Sequence, residues 1–463
     1  ALQGRLAQIY LKLKENEKAE AVMLGIVRDY PDEFEYRAMM ASYYAQTSQD
    51  DKAEAVLREA IAADPDGAQR YLLLADFYKN KSGAERAITE LEKNISAKPD
   101  LTALKFSLAQ LYLETENTQQ AEDILQGIIS ENDLDPDALK ARTALARLRV
   151  QQEDIVSALV LLGEVLAENP KDGDALMLKG RIELQQEQYT DAIASFRSVL
   201  KGQPDSAQAL TLLAMAHQGN GEAELAKENL ARAVEAKPGD AETRLRLARF
   251  LASTGDMDGA LEQLNAALES EPENVAAIRA KAEILAKQGN TEELEAVLTQ
   301  LEQASPETGL GAFGKGRLYK QQEKYPEAVA AFDEALAREP GSVLALTEVV
   351  NTEIAMGDPD AAIKRLDAVL KDNPEHPAAH DLLGVAYAAK KDFARAEQEF
   401  SRQLEINPNS SVVYLQLAGA RSGQGNTGGA EAALKKGLEV LPGDMRLTVA
   451  FATFYGQQGD MDK

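Results

Sequence analysis

The chain has 463 residues and sets 76 Asp and Glu against 50 Lys and Arg, a formal net charge of −26. An outer face of that sign repels nucleic acid phosphates and anionic headgroups, so neither is an expected partner. There is no cysteine, which excludes disulfides, thiolate catalysis and zinc sites built on sulfur. No run approaches the length of about 18 apolar residues that a membrane span needs.

From the N-terminus onward the chain reads as helices punctuated by proline. Thirteen of the sixteen prolines fall on a ruler: Pro31, Pro65, Pro99, Pro136, Pro170, Pro204, Pro238, Pro272, Pro306, Pro340, Pro374, Pro408 and Pro442. Every interval is 34 residues except Pro99 to Pro136, which is 37. Proline lacks an N–H and its ring clashes with the preceding turn, so one helix is predicted to stop per period and the chain is a repeat array. With the ruler proline at position 32, position 8 is Ala or Gly in twelve of thirteen repeats, from Ala7 and Ala41 through Gly180 and Gly316 to Ala418, with Val350 the exception. Position 20 is alanine in twelve of thirteen, Leu294 being the exception, and position 24 is always large and apolar, as in Met23, Leu57, Phe196 and Phe332. Position 11 is often tyrosine (Tyr10, Tyr44, Tyr78, Tyr112, Tyr319, Tyr387). Large residues facing small ones at helical spacing make an interdigitating helix pair. Turns such as Gly255-Asp256 and Gly289-Asn290 lie between the helices and supply caps. No segment alternates with the period of a strand, so the fold class is all-α.

These positions resemble the tetratricopeptide repeat, with small residues at 8 and 20, aromatics at 11 and 24 and proline at 32; the family's usual Trp at position 4 is absent. The resemblance covers thirteen full repeats and a fourteenth first helix, in which Phe451, Ala452 and Tyr455 fall on positions 7, 8 and 11. It implies a right-handed superhelix (an α-solenoid) whose first helices line a concave groove. Three segments are expected: 1–136, 137–306 and 307–463. The helical pattern is already running at Ala1 and stops half a repeat before completion at Lys463, which reads as an excerpt of a longer protein.

Two places break the rule. Three extra residues within Ser130–Asp135 are expected to lengthen a turn and tilt repeat 5 against repeat 4. In repeats 9 to 11, Leu294 and Val350 replace small residues, and Gly309, Gly311, Gly314 and Gly316 spell a loop-like G-x-G-x-x-G-x-G. A nucleotide loop would need a preceding strand, which is missing, so the glycines are read as a soft spot and candidate hinge, since interior glycines weaken helices by roughly 0.5–1 kcal/mol each.

Nothing in the sequence makes a believable catalytic set, cofactor loop or metal site. His376 and His380 are four apart, but His376 precedes Pro377, and it is expected to cap a helix. The chain is therefore expected to be a non-enzyme that binds no cofactor and no metal. In the family, first-helix positions 2, 5, 6, 9, 12 and 13 face the groove. The paired lysines and asparagines that clamp a chaperone tail's carboxylate are absent, and position 6 never carries the asparagine ladder of sugar-transferase arrays. The groove positions do hold arginine: Arg147, Arg181, Arg249 and Arg317 at position 9, Arg246 at position 6 and Arg279 at position 5. Guanidinium forks bind carboxylates in pairs of hydrogen bonds, and Met177, Met215 and Phe313 are expected to add apolar contact. The expected partner is a protein or peptide segment, acidic in character. The alternative is that each arginine pairs locally, for instance with Glu183 or Glu283. A second groove is expected over Ala38, Leu72 and Phe106. In general texture the chain is similar to bacterial tetratricopeptide proteins of exopolysaccharide export, including the lipoprotein of PEP-CTERM/exosortase systems. That resemblance implies a scaffold at the periplasm or outer membrane. The alternatives are a cytoplasmic location and a regulatory region of a larger enzyme such as a glycosyltransferase. Self-association through Phe451, Phe454 and Tyr455 is a further expectation.

Overall fold

A computed structural model describes residues 2–13, 15–31, 33–131 and 135–458. Among the described residues there are 27 α-helices and no strand. They fall into two compact units, Ala1–Ala233 and Val234–Lys463. Within each unit helices pack on their chain neighbours, and first helices of successive repeats touch at several steps, as Ala241–Ser253 does with Val275–Gln288 and Val343–Ala355 with Pro377–Ala389. Each unit is therefore a solenoid of helix pairs, with first helices forming a wall along it.

Local chemistry sets the helix ends. Twelve ruler prolines lie just beyond a second helix. The residue before the proline has left the helical region, as at Asn169 (φ −126°, ψ 83°) and Glu271 (φ −133°, ψ 81°), because the proline ring disfavours α geometry there. Pro136 departs from the expectation. It opens the first helix of repeat 5 rather than closing the second helix of repeat 4, and the Asp135 carboxylate caps it by accepting the Asp137 N–H at 3.0 Å. Proline is well suited to the first helical turn, where no N–H partner is needed. Of the inserted segment, residues 132–134 lie outside the described residues. First helices begin at caps such as Asp172, Asp240 and Asn274, each accepting an N–H three residues on at 3.0 Å. Asp256 caps a second helix in the same way at 3.0 Å. In most repeats the inner turn passes through a residue of positive φ at position 15, which is Gly255 (φ 93°) or Gly289 (φ 72°) in some repeats but Glu116, Glu153, Glu187 and Glu323 (φ 58–62°) in others. In repeat 3 the helix runs on through Ser82 and the positive φ falls at Gly83.

The seam between the two helices of a repeat is the core. All twelve alanines at position 20 are fully buried. At positions 8 and 24 the volumes compensate: the three phenylalanines at 24 (Phe196, Phe332, Phe400) face Gly180, Gly316 and Gly384, where a Cβ would come within 2.4–2.7 Å of the ring. Where position 24 is leucine, as at Leu57 and Leu264, position 8 is alanine, as at Ala41 and Ala248, except in repeat 11, where Leu366 is matched by Val350. Repeats are tied to one another by hydrogen bonds from position 11 to the preceding second helix. Tyr44, Tyr319 and Tyr455 donate to Glu20, Glu295 and Glu431 at 2.8, 2.5 and 2.5 Å.

The glycines of repeat 10 are not a soft spot. A Cβ on Gly311 would meet the Leu298 carbonyl oxygen at 2.7 Å, on Gly314 the Leu298 side chain at 2.4 Å, and on Gly309 the Ala335 carbonyl at 2.8 Å. The helix Leu310–Gln321 is pressed against both neighbours: Gly309 and Gly311 admit neighbouring backbone, and Gly314 and Gly316 admit the Leu298 and Phe332 side chains. The entropy lost by placing glycine in a helix is offset by closer packing.

Candidate functional site

In the first unit the wall includes Pro136–Gln151 and Gly173–Gln185, whose Arg147 and Arg181 are exposed. Neither makes an ion pair or hydrogen bond among the described residues. Glu183, the carboxylate named as a local partner for Arg181, is turned inward: it is buried, accepts from Ser195 Oγ at 2.6 Å and pairs with Lys179 at 3.4 Å. Glu183 occupies position 11, the seam position that tyrosine takes elsewhere, so it faces away from the groove.

In the second unit, Arg249, Arg279 and Arg317 project from the first helices of repeats 8, 9 and 10 and are likewise exposed without an ion pair among the described residues. Arg249 and Arg279 line one cavity of about 310 Å³ together with Glu283 and Lys287. Arg317 lines the next, about 460 Å³, with Glu283, Lys320 and Glu348. Glu283 is exposed and holds none of these arginines in an ion pair. Lys320 is paired with Glu348 at 2.7 Å. Arg246 differs from the rest: it bonds Glu242 one turn earlier at 2.6 Å, a weak exposed helix pair. Position 9 thus carries guanidinium groups whose hydrogen-bonding edges are open.

The apolar residues named with the arginines differ in exposure. Phe313 is half-buried and stacks obliquely on Phe332, ring centroids 5.8 Å apart. It packs against the core cluster around Phe332, whose ring lies over Gly316. Met177 is likewise half-buried against the seam, whereas Met215 is 41% exposed. Ala38, Leu72 and Phe106 are half-buried, Leu72 and Phe106 against core clusters. Phe451, Phe454 and Tyr455 are half-buried too, and Phe451 and Phe454 pack on the last core cluster; Met445 and Val449 are the exposed apolar groups of that helix.

His376 caps its helix, Nδ1 accepting the Ala379 N–H at 3.2 Å, and His380 is buried between Glu399 (2.6 Å) and the Pro374 carbonyl (3.0 Å). No cluster of three metal-binding side chains occurs among the described residues, and no helix there is long and apolar enough to cross a membrane. A cavity of about 870 Å³ between Tyr325–Arg338, Val343–Ala355 and Pro359–Asp372 has its guanidinium already held: Arg365 bonds Glu353 at 2.6 Å and also Asp333.

Sequence reasoning missed a pair further along the wall. Asp381 and Gln416 occupy positions 5 and 6 of the first helices of repeats 12 and 13, and Asp381 Oδ1 and Gln416 Oε1 are buried without a hydrogen-bond partner. Burial pushes the Asp381 carboxyl above the usual carboxylate range, and a hydrogen bond from the Gln416 side chain offsets this only in part. The register that identified the arginines also marked these two positions.

Comparison with known families gives two matches. A tetratricopeptide repeat model matches residues 5–68 and 350–411, and the model of the tetratricopeptide repeat protein 21 N-terminal ARM repeat matches residues 150–363. No curated protein matches the sequence. Among solved structures, the Cut9–Hcn1 hetero-tetramer of the APC/C is 15% identical over 97% of this chain and 95% of that one, with a TM-score of 0.33. A tetratricopeptide repeat protein from Parabacteroides merdae is 19% identical over 54% of this chain and 98% of its own, TM-score 0.38. The MamA protein is 20% identical over 36% and 92%, TM-score 0.33. None of the three carries a partner or an activity over to this chain.

Proposed function

We propose, with the tetratricopeptide repeat family supported by both family matches, that this chain is a non-catalytic scaffold whose groove binds an acidic segment of a partner protein. One observation carries the reading: Arg147, Arg181, Arg249, Arg279 and Arg317 stay free of ion pairs in a chain where acids outnumber bases by 26. In such a chain random pairing would occupy exposed cations first, so guanidinium edges left open favour a carboxylate supplied from outside. The assembly we favour is a bacterial envelope machine such as exopolysaccharide export, at the periplasm or outer membrane. That rests on the general texture of a long, acidic, cysteine-free array. The second reading, a recruiting region of a larger enzyme, shares the same groove chemistry.

The test is a paired pull-down from envelope and cytosolic extracts. The baits are the native chain and a variant with Arg147, Arg181, Arg249 and Arg317 changed to Glu, each washed at low and at physiological salt. A partner retained by the first bait and lost from the second supports the groove, and its extract of origin supports a compartment. Identical partners on both baits would reject the arginines as the binding surface.

A further inference from the structure

The wall of the second unit changes character partway along. From repeat 8 to repeat 10 its unpaired charges are Arg249, Arg279, Lys287 and Arg317 against the single acid Glu283. From repeat 11 to repeat 13, groove positions 2, 5, 6 and 9 carry no cation. Leu344 and Val412 stand 71% and 43% exposed there. Glu348 is taken by Lys320, which leaves Asp381 as the one charged group without an ion pair at those positions. Its Oδ1 and the Oε1 of Gln416, on neighbouring first helices of one wall, are buried acceptor atoms that make no hydrogen bond. An acceptor left unmade in a partly dry site is unfavourable, and a donor brought by another molecule would satisfy both of these atoms.

Resting on the acidic-segment reading above, we infer that the second unit's groove reads a bipolar segment: an acidic run over repeats 8 to 10, then an apolar residue and a lysine or arginine whose N–H groups meet Asp381 and Gln416. First helices of adjacent repeats lie about 8–10 Å apart, so Arg317 and Asp381, two repeats apart, are separated by about 16–20 Å. An extended segment covers that in about five or six residues. The two sectors of opposite need give the groove a direction, because a segment bound in reverse sets its lysine against three arginines and its glutamates against Asp381.

Three fluorescein-labelled peptides test this by anisotropy on the full chain: a glutamate run, a Gly/Ser spacer of five residues and Leu-Lys-Lys; the same blocks in reverse order; and the first with both lysines changed to glutamine. One of the two orders should bind about fivefold more tightly than the glutamine peptide, the worth of one partly exposed charge pair. Asp381→Asn should erase that gain while leaving the glutamine peptide's affinity unchanged. Equal binding of both lysine peptides and the glutamine peptide to the native chain overturns the inference without any variant having to fold, as does a gain that survives Asp381→Asn. The triple variant Arg249→Gln/Arg279→Gln/Arg317→Gln should weaken all three peptides. If it does and lysine adds nothing, the acidic groove stands and its polarity falls. If it binds every peptide as the native chain does, the acidic groove itself is rejected.

Discussion

The seam inside each repeat and the groove wall of the second unit are built from the same helices on opposite principles. In the seam large residues are matched by small ones: Phe332 faces Gly316, Phe196 faces Gly180, Phe400 faces Gly384, and the leucines at the same position are matched by alanine in every repeat but the one that pairs Leu366 with Val350. On the wall, Arg249, Arg279 and Arg317 face open cavities and no carboxylate holds them. The contrast teaches where each kind of requirement is met. Shape complementarity is completed within the chain, whereas the arginines of the wall find no charge complement among the described residues.

Adding volume to the seam should have the largest effect. Gly316→Ala places a methyl 2.5 Å from the Phe332 ring, and overpacking of this kind costs typically about 1–3 kcal/mol. Combining it with Phe332→Leu should recover most of the loss, since the pair would then match the alanine–leucine repeats. Urea unfolding of both singles and the double gives the coupling, and strictly additive losses would refute the compensation.

The ties between repeats come next. Tyr319→Phe deletes the hydroxyl that donates to Glu295 at 2.5 Å and should cost about 1 kcal/mol. The same contact has a pH signature. The hydrogen bond to Glu295, with burial second, pushes the Tyr319 hydroxyl up from 10 to about 12. Its folded value lies above its unfolded one, so its contribution is whole below pH 10 and is lost as pH rises from 10 to 12. Melting temperature followed across that window should fall less steeply in Tyr319→Phe; parallel curves would remove the tie from the account.

A smaller effect, and a gain, is expected in the turns. Glu187 sits at φ 60° where Gly255 and Gly289 stand in sister repeats. A side chain in the left-handed region is strained by roughly 1–2 kcal/mol, and the extra freedom glycine gives the unfolded chain takes part of that back. Glu187→Gly should therefore raise the melting point slightly, and a fall would show that Glu187 contributes a contact of its own.

The same division governs how far the chain can be read from its letters. Alanine at position 20, proline at 32 and the small–large pattern at 8 and 24 are enforced by contacts within one repeat, so they recur at fixed spacing and fix the all-α solenoid before any coordinate is known. The pairing of Phe196, Phe332 and Phe400 with glycine was visible in the same two columns. The glycines of repeat 10 were misread because a glycine in a helix looks weak until the neighbour it admits, here Leu298 or Ala335, is seen. Phe313 carries a groove register number yet turns its ring to Phe332, whose own ring lies over Gly316. Glu183, two residues from Arg181, is held by Ser195 across the repeat, which proximity in sequence does not disclose. Whether an arginine is paired depends on rotamers and on neighbours from adjacent repeats, and no periodicity encodes that.

The central claim is that the groove arginines are open to a partner and hold nothing inside the fold. The most direct test is the urea stability of Arg249→Gln/Arg279→Gln/Arg317→Gln beside its affinity for a glutamate-rich peptide. The account predicts stability within about 0.5 kcal/mol of the native chain, as for surface changes that break no contact, together with a marked loss of peptide binding. A drop in stability as large as that of Gly316→Ala, with peptide affinity unchanged, would contradict it and return the arginines to the fold.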